Sequence, residues 1–237
     1  MPELHVLRVF VDGYGAAGNH LGVMQGAAAI GPIERQRIAA ELAYSETVFV
    51  DGADRLQIFT PTTELAFAGH PLVGAAWLLR RPTLHPPAGP VATRSDPPLT
   101  WITARAELCP RWEIRREASP EAVDALPPPP DGHILHWAFA DEAAGLVRAR
   151  VFAPDYGVAE DPATGSAAIV LCATLDRPLV IRQGEGSEIL VRPAGGDTVE
   201  LGGRVVRVRR PAEPPTLSAT GAGAPPTRGR SKAEGRS

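Results

Sequence analysis

The chain alternates between short runs with the two-residue period of β-strands and two segments that are apolar on every face. These segments, 71–79 and 166–175, predict helices that must be buried on all sides, because an exposed helix keeps a polar face. Two further helices are predicted at 32–43 and 119–126, each with a proline at its start. Strands are predicted at 4–11, 21–25, 47–50, 56–60, 91–93, 100–106, 133–139 and 146–152, followed by four more short strands up to residue 209.

Many short strands around two buried helices predict an α+β fold with two similar domains. In each domain, a curled, mostly antiparallel β-sheet or barrel would wrap around one central helix, and a cleft would separate the two domains. We place the domains at residues 1–96 and 97–210. Residues 211–237 are rich in Pro, Gly, Ser and Ala and bury too little apolar surface to offset the entropy of ordering, which predicts a disordered tail.

Composition and charge narrow the class of protein. The 237 residues carry a formal net charge of −3, which gives no reason to expect nucleic-acid binding, and no segment reaches the ~18 unbroken apolar residues of a membrane span. The N-terminus lacks the pattern of a signal peptide, and Cys109 and Cys172 lie far apart without metal-ligand spacing. We therefore expect a cytoplasmic protein with two reduced thiols, bound to neither nucleic acid nor membrane.

The two halves of the chain share a pattern before their apolar helices. FTPTTELAFAGHP begins at residue 59 and FAPDYGVAEDPATGSA at residue 152, so that Gly69 and Gly165 each stand at the mouth of a buried helix. A helix N-terminus offers unpaired N–H groups and a partial positive charge, and glycine lets a ligand approach closely. Two such ends facing each other would hold a small carboxylate, although identity between the halves is thin and chance similarity stays open.

Three side chains near these helix ends are suited to proton transfer, which needs a carboxylate or an imidazole within hydrogen-bond reach of the substrate. They are Glu46, His70 and Asp161. Glu46 and His70 each have an ordinary alternative, since a loop glutamate is usually solvated and a histidine at a helix end is often a cap. Thr164 and Ser166 are likewise common N-cap residues.

Several motifs together carry a family resemblance. GN at 18–19, SET at 45–47, FTP at 59–61, FAGHP at 67–71 and EDPATGS at 160–166 follow one another in this order. With this set the chain resembles the PhzF-like phenazine-biosynthesis family, which shares its fold with diaminopimelate epimerase. The likeness extends over residues 6–208, and the GHP and EDPATGSA blocks are its most specific parts.

The resemblance implies a cofactor-independent isomerase that moves a proton on a small amino-acid-like or cyclic carboxylate substrate, in an active site between the two domains. Glu46 would be the acid/base, His70 would bind and orient the substrate, and Asp161 would meet its amino group; these three are the implied catalytic residues. Substrate-binding residues would be Gly18, Asn19, Gly69, His70, Asp161, Thr164, Gly165 and Ser166. The resemblance implies no cofactor or metal, and it is compatible with a homodimer.

The chain also departs from the family's pattern. Asn19 is followed by His20 where the family usually has proline, and the second domain is short near residues 107–131. The related epimerases place a cysteine before the glycine of each repeat, whereas this chain has Ala68 and Thr164 there. An amino-acid epimerase or racemase with two thiols is therefore the weaker alternative.

Three other readings remain as alternatives. The segment GYGAAG at 13–18 matches a dinucleotide-binding fingerprint, but a strand rather than a helix is predicted after it. Metal binding by Glu46, His70 and Asp161 lacks local ligand spacing. A protein that only binds a small carboxylate, without turnover, would use the same helix ends.

Overall fold

The computed structural model describes residues 2–208, which fold into a 15-stranded sheet and four α-helices. The helices are α1 (Pro32–Leu42), α2 (Gly69–Leu79), α3 (Pro120–Asp124) and α4 (Gly165–Leu175). The strands are β1 (Glu3–Val11), β2 (Asn19–Gln25), β3 (Glu46–Asp51), β4 (Arg55–Phe59), β5 (Glu64–Leu65), β6 (Thr83–Leu84), β7 (Val91–Asp96), β8 (Leu99–Arg105), β9 (Glu113–Arg116), β10 (Ile134–Asp141), β11 (Leu146–Ala153), β12 (Val158–Asp161), β13 (Leu179–Gln183), β14 (Ser187–Gly195) and β15 (Thr198–Arg207). The predicted tail at 211–237 lies outside the described residues.

Helices α2 and α4 form the centre of the molecule, as their apolar sequences require. Leu72 and Val73 in α2, and Ile169 and Leu171 in α4, are fully buried. Burying such a side chain stabilises the folded state by about 1.5–3 kcal/mol. Helix α2 packs against β1, β8 and β15, while α4 packs against β14 and β15. The two all-apolar segments are therefore the core around which the sheet curls.

The sheet is continuous from one half of the chain to the other. Its main path runs β5-β4-β3-β2-β1-β15-β14-β13-β11-β10-β9, and most neighbouring strands are antiparallel. Strand β15 makes the junction, because its residues pair with β1, β8 and β14. The predicted α+β class with a curled, mostly antiparallel sheet around central helices is thus confirmed. The predicted domain boundary at 96/97 falls in the turn between β7 and β8, and it stays a prediction.

The structure corrects several element boundaries. Helices α2 and α4 begin at Gly69 and Gly165, so His70 and Ser166 lie inside the first helical turn. Strand β2 begins at Asn19 rather than at residue 21, and α3 is a short helix. Up to residue 208, three strands and not four follow α4, and the short strands β5, β6, β9 and β12 were not predicted. These strands have two to four residues, too few for a period-two pattern to emerge.

Among residues 2–208, no helix is long and apolar enough to cross a membrane.

Candidate active site

The N-termini of α2 and α4 meet at two glycines. A Cβ atom placed on Gly165 would lie 2.8 Å from the backbone nitrogen of His70 and 2.7 Å from Cδ2 of Leu201. A Cβ atom on Gly69 would lie 2.8 Å from the carbonyl carbon of Gly165. Real Cβ atoms do not approach backbone this closely, so the contact requires glycine on both sides. Two helix ends that each favour negative charge are thereby brought together.

Glu46 reaches this junction because of the parallel pairing of β2 with β3. Asn19 is the first residue of β2 and Glu46 the first of β3, and the strands begin side by side with Glu46 opposite Leu21. Oε2 of Glu46 lies 2.9 Å from Nδ1 of His70. The side chain of His70 is only 2% exposed and that of Glu46 is 14% exposed. The carboxylate and the imidazole are therefore paired in a nearly closed environment.

Asp161 ends β12 and is held by two side chains from different elements. Nδ2 of Asn19 donates to Oδ1 of Asp161 at 2.5 Å, and Oγ1 of Thr164 donates to Oδ2 at 2.6 Å. Oγ of Ser45 donates in turn to Oδ1 of Asn19 at 3.0 Å, which fixes the orientation of the amide. Both oxygens of the buried Asp161 carboxyl group therefore have a protein donor.

The electrostatics of the cleft favour retention of protons. Burial and the negative charge of Glu46 raise the pKa of Asp161 to about 7, although His70 and the hydrogen bond from Thr164 oppose this shift. Burial lowers the pKa of His70, but the negative charges of Glu46 and Asp161 raise it more, so that the net shift is upward. Two groups whose pKa is raised thus lie together in a largely buried site.

Thr164 and Ser166 are not the ordinary helix caps that were one reading of the sequence. Thr164 occupies the N-cap position of α4, yet its side chain makes no capping bond. Its backbone N–H donates to Oε1 of Gln183 at 3.1 Å, and its hydroxyl turns to Asp161. Oγ of Ser166 accepts a hydrogen bond at 3.1 Å from the indole Nε1 of Trp112. Both hydroxyl groups therefore face the cleft instead of the helix backbone.

The cleft itself is narrow. A cavity of about 30 Å³ lies between the two halves of the molecule. Its walls comprise Ser45, Glu46, Thr60, Leu65, Phe67, Ala68, Pro110, Trp112, Ala153, Tyr156, Val158, Asp161, Thr164 and Ser166. Asn19, Gly69, His70 and Gly165 stand directly behind this lining, through the contacts described above.

Gly18 is the predicted binding residue that the structure leaves outside this group. Its N–H donates to Oγ of Ser187 at 3.0 Å, and it lines a different cavity, of about 560 Å³, beside Arg8 and Arg150. Its positive φ of 79° and a close approach to Val11 explain why glycine is needed there. Its place in the structure is therefore explained by backbone conformation alone.

Two residues of the site were missed by the sequence analysis. Gln183 is 1% exposed and binds both Thr164 and the backbone oxygen of Asp161, and Trp112 covers Ser166. No motif surrounds either of them. Gln183 ends β13 on the same face as the buried Leu179 and Ile181, and a polar residue at this period-two position is the one signal that could have indicated it.

The alternative readings gain no support from the geometry. Within residues 2–208, Glu46, His70 and Asp161 do not form a group arranged to hold a metal ion, and no other such group occurs. The segment after GYGAAG is strand β2 and not a helix. Neither Cys109 nor Cys172 lines the cleft, and burial raises the pKa of each thiol to about 12.

Comparison with known proteins identifies the family. The model of the phenazine biosynthesis-like protein family matches residues 9–93 and 112–210. The chain belongs to this family. It is 33% identical over 233 residues to a trans-2,3-dihydro-3-hydroxyanthranilate isomerase of Pseudomonas fluorescens, covering 77% of this chain and 84% of the relative. An enzyme of the same name from Pseudomonas aeruginosa is 34% identical over 203 residues, covering 65% of this chain and 73% of the relative. The predicted class, an isomerase, is confirmed.

Solved structures of the phenazine biosynthesis-like family have the same fold. A PhzC/PhzF protein from Clostridium difficile superposes with a TM-score of 0.73 at 21% identity, over 88% of this chain and 98% of the other. A PhzF-family protein from Enterococcus faecalis gives a TM-score of 0.65 at 20% identity, over 88% and 96% of the two chains. At these identities the likeness concerns the fold.

Proposed function

We propose that this protein is a cofactor-independent isomerase that moves a proton on a small, cyclic, amino-acid-like carboxylate, with Glu46 as the acid/base. The observation that carries the proposal is the meeting of Glu46, His70 and Asp161 beside two helix N-termini. The substrate class follows that of the two Pseudomonas relatives, whose name denotes an amino-substituted, partly unsaturated ring acid as the substrate.

The residues divide the chemistry among them. Glu46 takes a proton from a ring C–H group, the resulting electron pair spreads over the conjugated system, and the same carboxyl group returns the proton to another ring carbon. One proton leaves and one is returned, so the double bonds move without any oxidant or reductant. His70, whose raised pKa favours the protonated form, keeps the Glu46 carboxylate oriented at 2.9 Å.

Other groups would hold the substrate. Asp161, which accepts hydrogen bonds from Asn19 and Thr164, would receive the substrate's amino group. The N–H groups at the starts of α2 and α4 would bind its carboxylate, because helix N-termini attract anions. The homodimer compatible with the resemblance stays a prediction.

The decisive test is proton exchange at the substrate's carbon atoms. In D2O, NMR would follow deuterium incorporation into a panel of cyclic and acyclic amino carboxylic acids. We expect wild type to exchange at least one cyclic acid and Glu46→Gln to lose about 10²–10⁴-fold in rate, since an amide cannot accept the proton. Glu41→Gln, on the exposed surface of α1, is the matched control and should exchange at the wild-type rate.

Two outcomes would contradict the proposal. Full exchange by Glu46→Gln would remove Glu46 from the acid/base role. Saturable binding of an acid without exchange by wild type would instead indicate the non-catalytic binding protein.

A further inference from the structure

Trp112 stands at the entrance of the cleft on a stretch without helix or strand. It follows the short turn Ala106–Leu108 and directly precedes β9. Its side chain is half-buried and packs against the central apolar core. The backbone around it is therefore less constrained than the strands and helices that carry Glu46 and Asp161.

Trp112 is part of a row of three aromatic rings, and the two rings at its ends line the cavity of the cleft. Its ring meets that of His133 edge to face, with centroids 6.0 Å apart. His133 stacks in turn on Tyr156, with centroids 4.0 Å apart and the planes only 6° from parallel. Trp112 and Tyr156 both line the cavity that contains Glu46.

The indole of Trp112 is also hydrogen-bonded to a polar group, the hydroxyl of Ser166, that a substrate would need. Its Nε1 donates to Oγ of Ser166, a hydroxyl in the first turn of α4. The cavity that remains, about 30 Å³, is roughly the share of one water molecule. A cyclic carboxylic acid is several times larger, so a side chain must move before it enters. Trp112 has the largest side chain among the lining residues, it lies on an irregular segment, and a single side-chain hydrogen bond ties it to Ser166.

The charges of the residues that line the cavity favour recognition of a ligand through contacts with its ring. Among the described residues that line the cavity there is no arginine or lysine, while Glu46 and Asp161 are both acidic. A carboxylate ligand would therefore depend on the helix N-termini for its charge and on apolar contact for much of its affinity. Aromatic side chains supply large contact areas with a preferred geometry toward other rings.

We propose that Trp112 is the specificity-determining residue of the cleft: it closes the cleft over Ser166, moves aside for a cyclic substrate, and then packs against the substrate's ring. The Ser166 hydroxyl loses no hydrogen bond in this movement, because a polar group of the substrate replaces the indole N–H as its partner. This inference rests on the proposed function for the class of ligand, but its test measures binding and not turnover.

The experiment compares an amino acid that contains a ring with one that does not. 2-Aminocyclohexanecarboxylic acid and β-alanine are both β-amino acids, and neither absorbs in the range of tryptophan. Calorimetry would give the Kd of each for wild type, Trp112→Phe and Trp112→Ala, and tryptophan fluorescence would follow each titration. Trp77→Phe, which removes a half-buried tryptophan of α2 outside the cleft lining, is the control.

We expect wild type to bind the cyclic acid at least tenfold more tightly than β-alanine, with a change in fluorescence. Trp112→Phe should retain this preference but lose the fluorescence change, while Trp77→Phe should retain both. Trp112→Ala should lose the preference. An unchanged preference in Trp112→Ala, a fluorescence change that persists in Trp112→Phe, or no preference in wild type would overturn the inference.

The same titrations separate this inference from the proposed function. They give the ring preference and the fluorescence change of wild type, and both are compared with its proton exchange. If wild type shows both and yet exchanges no substrate proton, the proposed isomerase activity fails and the role of Trp112 stands. If exchange depends on Glu46 while Trp112→Ala keeps its preference, only the role of Trp112 fails.

Discussion

Asp161 shows how a single carboxyl group takes its properties from its neighbours. It is 7% exposed, it accepts hydrogen bonds from Asn19 and Thr164, and it lies near the negative charge of Glu46. Hydrogen bonds to a carboxylate favour the ionised form, whereas burial and a neighbouring negative charge favour the protonated form. Here the second pair of effects is larger, and the pKa rises to about 7.

This shift predicts a pH dependence of stability that can be assigned to Asp161. The group has a pKa of about 3.9 in an unfolded chain, so the folded state binds the proton more tightly. Its stabilising contribution is complete below about pH 4 and is lost as pH rises to about 7. From pH 5 to pH 8, the free energy of unfolding of wild type should fall by about 2–3 kcal/mol relative to Asp161→Asn. Urea unfolding at several pH values would measure this; parallel pH profiles would contradict it.

Gln183 is the residue that we expect to hold the Asp161 loop in place. Its side-chain amide donates to the backbone oxygen of Asp161 at 2.7 Å and to Oγ1 of Thr164 at 2.9 Å, and it accepts from the backbone N–H of Thr164. Gln183→Leu replaces the amide with an apolar side chain of similar volume and leaves the buried polar groups of Asp161 and Thr164 without partners. Each such group costs about 1–3 kcal/mol.

The expected result for Gln183→Leu is a loss of about 2 kcal/mol or more in the free energy of unfolding, measured by urea denaturation. Gln36→Leu is the control, because Gln36 makes one hydrogen bond, to the backbone oxygen of Thr60, on the half-exposed side of α1. It should cost less than about 1 kcal/mol. Equal losses in the two variants would mean that the hydrogen bonds of Gln183 contribute no more to the free energy of unfolding than the single hydrogen bond of Gln36.

These residues mark the limit of prediction from sequence. Glu46, His70 and Asp161 were proposed because each lies in a short motif, and the structure brings them together. Gln183 and Trp112 act through contacts that join strands and loops far apart in the chain, and a local pattern carries no record of such contacts. The roles of all five remain predictions that the experiments above address.

At the scale of elements, the site depends on the direct contact between the N-termini of α2 and α4. The two helices were predicted from apolar runs, but their first one or two residues were missed, since Gly69 and Gly165 are poor helix formers and look like loop residues. Glycine is needed there because the backbones touch. The requirement of tertiary packing thus outweighed local propensity, which a sequence pattern cannot show.

Adding one methyl group at this contact should separate the helix ends. In Gly165→Ala, the new Cβ would meet the backbone of His70 at 2.8 Å, and backbone cannot turn away as a side chain can. We expect a loss of about 1–3 kcal/mol in stability and at least tenfold in proton exchange. Gly13→Ala, where the methyl group meets no atom within 4 Å, should change stability by less than about 0.5 kcal/mol. Wild-type exchange in Gly165→Ala would show that the helix ends need not touch.

At the scale of the whole molecule, β15 joins the two halves more firmly than the predicted division at 96/97 suggests. It pairs with β1, which lies before this division, and with β8 and β14, which lie after it. Leu201 on this strand is fully buried, and its Cδ2 approaches both Gly69 and Gly165. We therefore expect the two halves to unfold together.

The measurement is urea unfolding followed in parallel by circular dichroism and tryptophan fluorescence. The two transitions should coincide in wild type, as expected for two-state behaviour. Leu201→Ala should shift both equally and cost about 2–5 kcal/mol, the usual effect of removing a buried leucine side chain. Two separate transitions, with one of them insensitive to Leu201→Ala, would indicate independently folding halves.

The position of β15 in the chain has a consequence for synthesis on the ribosome. A polypeptide emerges from its N-terminus at about 5–20 residues per second, and domains usually fold as they appear. Among the strands of residues 2–208, β1 is the first to emerge, yet its partner β15 is the last to do so. Until then one edge of β1 has no strand beside it, and an open edge invites pairing with other chains. The nascent protein therefore depends on protection of the open edge of β1 until β15 has been translated.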